Sequence, residues 1–295
     1  MSIETMAIHG GGSASSVSAN QQHSHPEARL TPRDYYHPGV DPATIQAVIL
    51  AAGRGSRLKT AIDNGPKCLA NVGGRRLIDH QLSLLAQAGI RGVAVVTGYG
   101  ASAVRAAVGD RAEFIHNRAW ARTNSLYSLQ LCREWVTGSL VVMNCDVLPH
   151  PGVLRRLLEC PGNAFAYDSS SGTENEHMKV ELEGEYLNAI SKQLVCERCQ
   201  GENVGILYFE KRAARLLFRE AEALLGARNK RMWVAAAVQE VARYVPLRAI
   251  DVADLSWIEI DFPRDLELAR RVIWPRILSS IGLASAIGAQ SAARE

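Results

Sequence analysis

The stretch Leu50-Ala-Ala-Gly-Arg-Gly-Ser-Arg-Leu58, followed by Pro66-Lys67, places two glycines and the cations Arg57 and Lys67 where a polyphosphate could be held. Without side chains, Gly53 and Gly55 let the backbone approach phosphate oxygens and turn its N–H groups toward them. Arg57 offers a forked guanidinium that fits phosphate oxygens, and Lys67 a compact charge able to bridge phosphates during transfer. A dinucleotide-binding loop would need a third glycine at position 58, which is leucine. A Walker loop would need four residues between its glycines and then Lys-Ser/Thr, which is absent. A plain glycine turn is the bland alternative, and Arg57 together with Pro66-Lys67 weighs against it.

Two aspartates carry the other half of the chemistry. Asp146 follows the apolar run Leu140-Val-Val-Met-Asn144 almost directly, and Asp261 follows Trp257-Ile-Glu-Ile260. A carboxylate at the carboxyl end of a buried strand stands on the edge where open α/β sheets hold ligands. Mg2+ takes one or two protein carboxylates and completes its shell with phosphate oxygens and water. Two aspartates meeting at one edge would fit it; strand-end capping is the alternative for each. Asp265 reads as an N-terminal helix residue favoured by the helix dipole. Glu259 reads as pointing away from Ile260, to the other side of their strand.

These residues need elements to position them. Ala47–Ala51 is a short apolar run bounded by the glycine loop, as a buried parallel strand is. Apolar residues at helical spacing over Leu77–Ala88 end at Gly89. Val93–Thr97 and Glu113–His116 predict strands, Ser125–Trp135 a helix and Leu140–Asn144 another strand. This alternation predicts a doubly wound α/β layer. The second half predicts a hairpin split by Gly184 (Lys179–Glu183 and Tyr186–Lys192), a strand at Val204–Phe209, and helices at Lys211–Leu225 and Arg231–Arg243. Late strands follow at Leu247–Asp251 and Trp257–Ile260, then a closing helix at Pro263–Ile277 with proline at its start.

The loop with its Arg57 and Pro66-Lys67 resembles the signature of the sugar-phosphate nucleotidyltransferase superfamily. The resemblance implies a Rossmann-like, doubly wound mixed sheet with a small β-rich acceptor-binding insertion. It implies that Leu50, Ala51, Ala52, Gly53, Gly55, Arg57 and Asn124 bind the nucleotide, with Arg57 and Lys67 catalytic on the phosphates. Asp146, within Asn144-Cys-Asp-Val-Leu148, and Asp261, within Glu259-Ile-Asp-Phe-Pro263, stand where the family binds its metal, Mg2+.

Further segments extend the likeness in order: Asn124-Ser-Leu-Tyr-Ser-Leu129, Glu176-His-Met-Lys-Val180, Ile190-Ser-Lys192 and Gly201-Glu-Asn-Val-Gly-Ile206. Together they are similar to the phosphocholine, inositol-1-phosphate and phosphonate cytidylyltransferases. That similarity implies CTP as donor and Lys179, Lys192 and Glu202 as acceptor-binding residues. Each has a plain alternative: Asn124 as a helix cap, the lysines as solvated strand residues, Glu202 as a surface acid. Trp120, Tyr127 and Trp233 read as packing residues, although aromatic faces do hold quaternary ammonium groups. One departure stands out. Where relatives carry acidic or amide residues after the tryptophan of the late helix, this chain has Met232-Trp-Val-Ala-Ala-Ala237, which weakens a phosphocholine acceptor.

The expected reaction is Mg2+-dependent transfer of a nucleoside monophosphate from an NTP, CTP foremost, to a small phosphorylated alcohol or phosphonate, with release of pyrophosphate. The alternatives are a sugar-1-phosphate nucleotidylyltransferase using UTP, dTTP or GTP, and a catalytically silent nucleotide-binding module. With 33 basic and 30 acidic residues in 295, the charge balance gives no reason to expect nucleic acid as a partner. No apolar run reaches the roughly 18 residues of a membrane span, and no secretory signal is evident. Six scattered cysteines suit reduced thiols in a cytoplasmic enzyme, and the lone Cys196-x-x-Cys199 lacks partners for zinc. Residues 1–44 read as a disordered Gly/Ser/His-rich tail that docks at most through Tyr35 and Tyr36. Residues 45–278 read as a single domain and 279–295 as a frayed end; a homo-oligomer is left open.

Overall fold

Six of the seven residues of strand β1 (Ile45–Ala51) are buried, and only Gln46 is partly exposed. That near-continuous apolar run is what a central strand flanked on both sides requires. In the computed structural model, which describes residues 40–58, 65–172, 174–226 and 230–282, β1 lies between two parallel neighbours. The chain then runs through a small hairpin, β2 (Asn71–Val72) and β3 (Arg75–Arg76), helix α1 (Leu77–Gln87), β4 (Gly92–Thr97), α2 (Ala101–Val108), β5 (Glu113–His116) and α3 (Ser125–Gln130). Next come β6 (Ser139–Asn144), β7 (Val147–Leu148), α4 (Pro151–Glu159), β8 (Asn163–Asp168), β9 (Lys179–Glu183), β10 (Tyr186–Ser191) and β11 (Gly201–Phe209). Helices α5 (Lys211–Gly226) and α6 (Val234–Ala242), strands β12 (Leu247–Asp251) and β13 (Ile258–Glu259), and helices α7 (Pro263–Leu268) and α8 (Trp274–Ser280) complete it.

The main sheet has nine strands in the order β5-β4-β1-β6-β11-β8-β12-β10-β9. β5, β4, β1 and β6 are mutually parallel, and β11 enters antiparallel against β6. Alternation along β1 sends Ile45, Ala47 and Ile49 to one face, where α1 and α4 pack. Val48 and Leu50 face the other side, against α3, α5 and α6. Helices on both faces make the sheet doubly wound, as expected. The expected β-rich insertion is continuous with this sheet: β9 pairs with β10 and also with the start of β11, so the far end curls back on itself. A third apolar cluster, including Leu58, Val72, Leu148, Ile260 and Leu266, joins the glycine-loop region to the C-terminal helices.

Several boundaries differ from expectation. Helix α3 ends at Gln130 because the backbone tightens into a turn, with Cys132 N–H donating to Leu129 O at 2.9 Å and Arg133 N–H to Gln130 O at 3.2 Å. Helix α6 starts at Val234 because the carbonyls of Lys230 and Met232 accept from Asn124 and Leu126 N–H at 3.0 and 3.1 Å, which holds 230–232 out of the helix. The closing helix passes through a π-helical stretch, Ala269–Ile273, before α8. Helices α2 and α4 were not expected. The anticipated N-terminal tail lies outside the described residues up to residue 39, and Pro42–Thr44 forms one 3-10 turn. The expected C-terminal fraying lies outside them beyond Gly282.

Candidate active site

The loop after β1 opens at the carboxyl edge of the sheet. Gly55 has φ +61°, a left-handed conformation open to glycine, and a Cβ there would strike the Lys67 side chain. The absent side chain is therefore what lets Lys67 lie across the loop. Nothing stands within 4 Å of the position a Cβ would take on Gly53.

Lys67 reaches two acids. Its Nζ lies 3.0 Å from Asp146 Oδ2 and also contacts Asp261 Oδ1. Arg57 reaches Glu176 at 3.1 Å and Asp261 Oδ2 at 3.4 Å, with its guanidinium over the Phe262 ring at 5.0 Å. Burial alone would pull the Lys67 ammonium toward neutrality, but the charges of Asp146 and Asp261 outweigh it and hold its pKa well above the ordinary lysine value. In the same way burial pushes Asp261 up, yet Lys67 and Arg57 bring it below the usual carboxylate range.

Long-range bracing fixes these acids. β13 pairs with β7, Glu259 opposite Val147, and Ile260 N–H donates to Asp146 O at 2.9 Å. Gln81, fully buried on α1, donates from Nε2 to Asn144 O at 2.7 Å and Val147 O at 2.9 Å, which clamps the turn carrying Asp146. Asp265 accepts from the N–H groups of Asp261 and Phe262 at 3.0 and 2.7 Å, so it caps α7 as its sequence position suggests.

Glu259 belongs to this cluster and was missed. Asp146, Glu259 and Asp261 bring ligand oxygens within 4.8 Å of one another. Burial, and then the charges of Asp146 and Asp261, push Glu259 up to about 8. The signal was available: Glu259 and Asp261 are two apart, and side chains two apart on a strand share a face. The trio suits a hard divalent cation, since all donors are oxygens and the buried Oδ1 of Asp146 has no hydrogen-bond partner.

One cavity of about 360 Å³ gathers Leu50, Ala52, Gly53, Gly55, Arg57, Lys67, Asn124, Asp146, Lys192 and Asp261 of the expected residues. Ala51 is buried in the core beneath it. Asn124 lines the cavity and also caps α3, accepting from Ser125 N–H at 2.9 Å, so both of its readings hold geometrically. Lys192 pairs with Glu176 at 3.5 Å and lies over Trp233 at 5.5 Å.

Lys179 and Glu202 are not among the cavity-lining residues. Lys179 is only 2% exposed, and its Nζ donates to the Lys192 carbonyl at 2.9 Å. Glu202, 5% exposed, accepts from Ser171 Oγ at 2.6 Å and lies 3.5 Å from His177 Nδ1. Both are spent on holding neighbouring segments. Besides Glu259, the cavity lining adds Glu176, Asn144 and Asn203 to what the sequence suggested.

A glycine turn facing converging acids at the carboxyl edge of a doubly wound sheet is the layout of α/β proteins that handle nucleotides. Residues 47–241 match the family described as MobA-like NTP transferase domain, and the chain belongs to that family of nucleotidyltransferases. It is 27% identical over 240 residues to the bifunctional IPC transferase and DIPP synthase of Aquifex aeolicus, covering 80% of this chain and 53% of the relative. It is 30% identical over 249 residues to the CMP-5'-(3-aminopropyl)phosphonate synthase of Streptomyces rubellomurinus, covering 76% and 38%. The chain thus spans about half or less of the length of these relatives. The CTP:phosphocholine cytidylyltransferase of Streptococcus pneumoniae has the same fold, with TM-score 0.66 at 20% identity over 78% of this chain and 99% of that one. Among the described residues, no helix is long and apolar enough to cross a membrane.

Proposed function

We propose that this chain is a Mg2+-dependent cytidylyltransferase that joins CMP from CTP to a small phosphorylated alcohol or a phosphonate and releases pyrophosphate. The observation that carries this reading is the convergence of Asp146, Glu259 and Asp261 on Lys67 and Arg57, directly beside the glycine turn. The names of relatives that make a CMP-linked phosphonate or act as a CTP-dependent cytidylyltransferase support the choice of donor and acceptor class.

In the reaction, an oxygen of the acceptor phosphate or phosphonate attacks the α-phosphorus of CTP. A new P–O bond forms, the bond from the α-phosphorus to the bridging oxygen breaks, and pyrophosphate leaves with the electron pair. The attacking oxygen is already anionic near neutral pH, so no strong general base is needed, and catalysis is chiefly alignment and charge neutralisation. Asp146 and Asp261, joined by Glu259, would hold Mg2+, which when bound adds positive charge against the polyphosphate oxygens. The Gly53 and Gly55 backbone and the Arg57 guanidinium take the β- and γ-phosphates. Lys67 lies close enough to the acids to follow the reacting phosphate, and Lys192 draws in the acceptor anion. Asn124 orients the nucleoside from the start of α3. Lys179 and Glu202 are positioning residues: Lys179 fixes the backbone of Lys192, and Glu202 pins Ser171 and His177 on either side of the segment leading to Glu176.

The test is a donor panel of CTP, UTP, dTTP, GTP and ATP with Mg2+ and a mixed acceptor pool, read by pyrophosphate release. CTP is expected to lead. Turnover with UTP or dTTP and a sugar 1-phosphate, in preference to CTP, would replace this reading with the sugar-nucleotide one. Nucleotide binding with no pyrophosphate from any donor would favour a silent module.

A further inference from the structure

One wall of the cavity is built from β10, β11, α6 and the residue before β9, and it presents Met178, Ile190, Leu207, Val234, Ala235 and Val238. The α3 side of the same cavity is polar, with Thr123, Asn124, Ser125 and Ser128. The nucleoside has hydrogen-bonding edges and suits the polar side, which leaves the apolar wall for the acceptor's organic part.

The charged groups at this wall, Lys192 and Glu176, already pair with one another at 3.5 Å. Lys192 and Arg57 share the single carboxylate of Glu176, and the Trp233 face that could receive a cation already carries the chain's own Lys192 at 5.5 Å. An ammonium group placed against this wall would meet Lys192, an acid already engaged by Lys192 and Arg57, and a row of aliphatic side chains, and would lose its hydration without a free partner; the other acids of the cavity, Asp146, Glu259 and Asp261, form the trio beside the glycine loop. Asn203 adds one buried carbonyl oxygen with no hydrogen-bond partner, enough for a single donor. A cavity of about 360 Å³ is near the small end of ligand sites, and it must also hold the nucleotide.

We infer that the acceptor is a short alkyl phosphonate or alkyl phosphate whose organic part is uncharged, aliphatic and carries at most one hydrogen-bond donor, and that cationic acceptors are discriminated against. This rests on the cytidylyltransferase reading above. The acceptor's anionic end meets Lys192, while its carbon chain lies on Ile190, Leu207 and Val238.

The experiment uses the full chain with CTP and Mg2+, reads pyrophosphate release, and compares methyl-, ethyl-, propyl- and butylphosphonate with 2-aminoethylphosphonate and phosphocholine. Propylphosphonate and 2-aminoethylphosphonate match in shape and differ in a terminal methyl against an ammonium. The expected result is a kcat/KM that rises about fourfold per added methylene until the wall is filled, with propylphosphonate ahead of its amino counterpart by at least about tenfold. Ala235→Asp, which adds a carboxylate to the wall, is expected to narrow or invert that ratio. A wild-type enzyme that prefers 2-aminoethylphosphonate or phosphocholine overturns this inference and leaves the cytidylyl reading standing. Absence of pyrophosphate from CTP with every acceptor removes the parent reading, and this one with it.

Discussion

At the loop end of the cavity the charged groups interlock: Lys67 meets Asp146 and Asp261, and Arg57 meets Asp261 and Glu176. At the far wall, Ile190, Leu207, Val234 and Val238 offer only shape, relieved by the amide of Asn203. The first region is held by tethers between distant parts of the chain, such as Gln81 to Asn144 and Ile260 to Asp146. The second is set by the volumes of side chains on one hairpin, one strand and one helix. Charge arrangements tolerate little displacement, because their energies depend on distance and on every partner being present. An apolar wall tolerates exchange of volume far better. Substitutions at the loop end should therefore act on turnover and metal binding, and those at the wall on the choice of acceptor.

The sharpest way to break that contrast is Asp146→Asn. Turnover is expected to fall about a thousandfold while the circular dichroism spectrum and melting temperature stay close to wild type; activity within a few-fold of wild type would remove the metal role. Lys67→Ala should cost about a hundredfold in kcat. It also leaves the acids facing one another without their ammonium, so Mg2+ should raise its melting temperature more than it raises that of wild type. An equal shift in both would show that the lysine does not screen the trio.

A smaller effect is expected from Gln81→Leu, which touches no substrate. Mg2+ affinity should drop about tenfold with the acceptor KM unchanged, since the clamp acts on the Asp146 turn alone. A change confined to the acceptor KM would contradict this.

A last effect concerns stability against pH and not turnover. Glu259 titrates at about 8 in the fold against 4.5 for an ordinary glutamate, so the folded state binds a proton more tightly than the unfolded chain across that interval. Stability of the metal-free protein should consequently fall as pH rises through this window. Glu259→Gln removes this slope, and melting curves in a chelator at several pH values would reveal it. Parallel pH profiles for the two proteins would show that burial and the neighbouring acids do not govern the group.

The part of the site written in consecutive residues was readable directly. Gly53, Gly55, Arg57 and Lys67 lie in one short span, and their spacing alone separated them from two other glycine loops. Asp146 and Asp261 each follow an apolar run, which left strand-end capping open, and the family resemblance marked them as metal-binding candidates. Glu259 escaped because it was compared with its neighbour Ile260 instead of with Asp261, which shares its face. Gln81 could not be read: a glutamine inside a helical pattern carries no local sign that its amide will reach residues 144 and 147. Lys179 and Glu202 were given a role at the acceptor by the family resemblance, yet both are buried and engaged in local hydrogen bonds. Helix α2 was overlooked because its cap is Gly100, in a left-handed conformation. Helix α4 does carry a start signal, Pro151 at its first position, and was overlooked all the same.

The pairing of β7 with β13 has a consequence for assembly. Asp146 belongs to the middle of the chain, whereas Glu259 and Asp261 arrive only with the segment that follows the last strand of the main sheet and lies past the family match at residue 241. A chain cut after Asp251 would own all nine strands of that sheet and one acid of the three. The centre is thus finished by a late latch: the scaffold can be complete before the chemistry is.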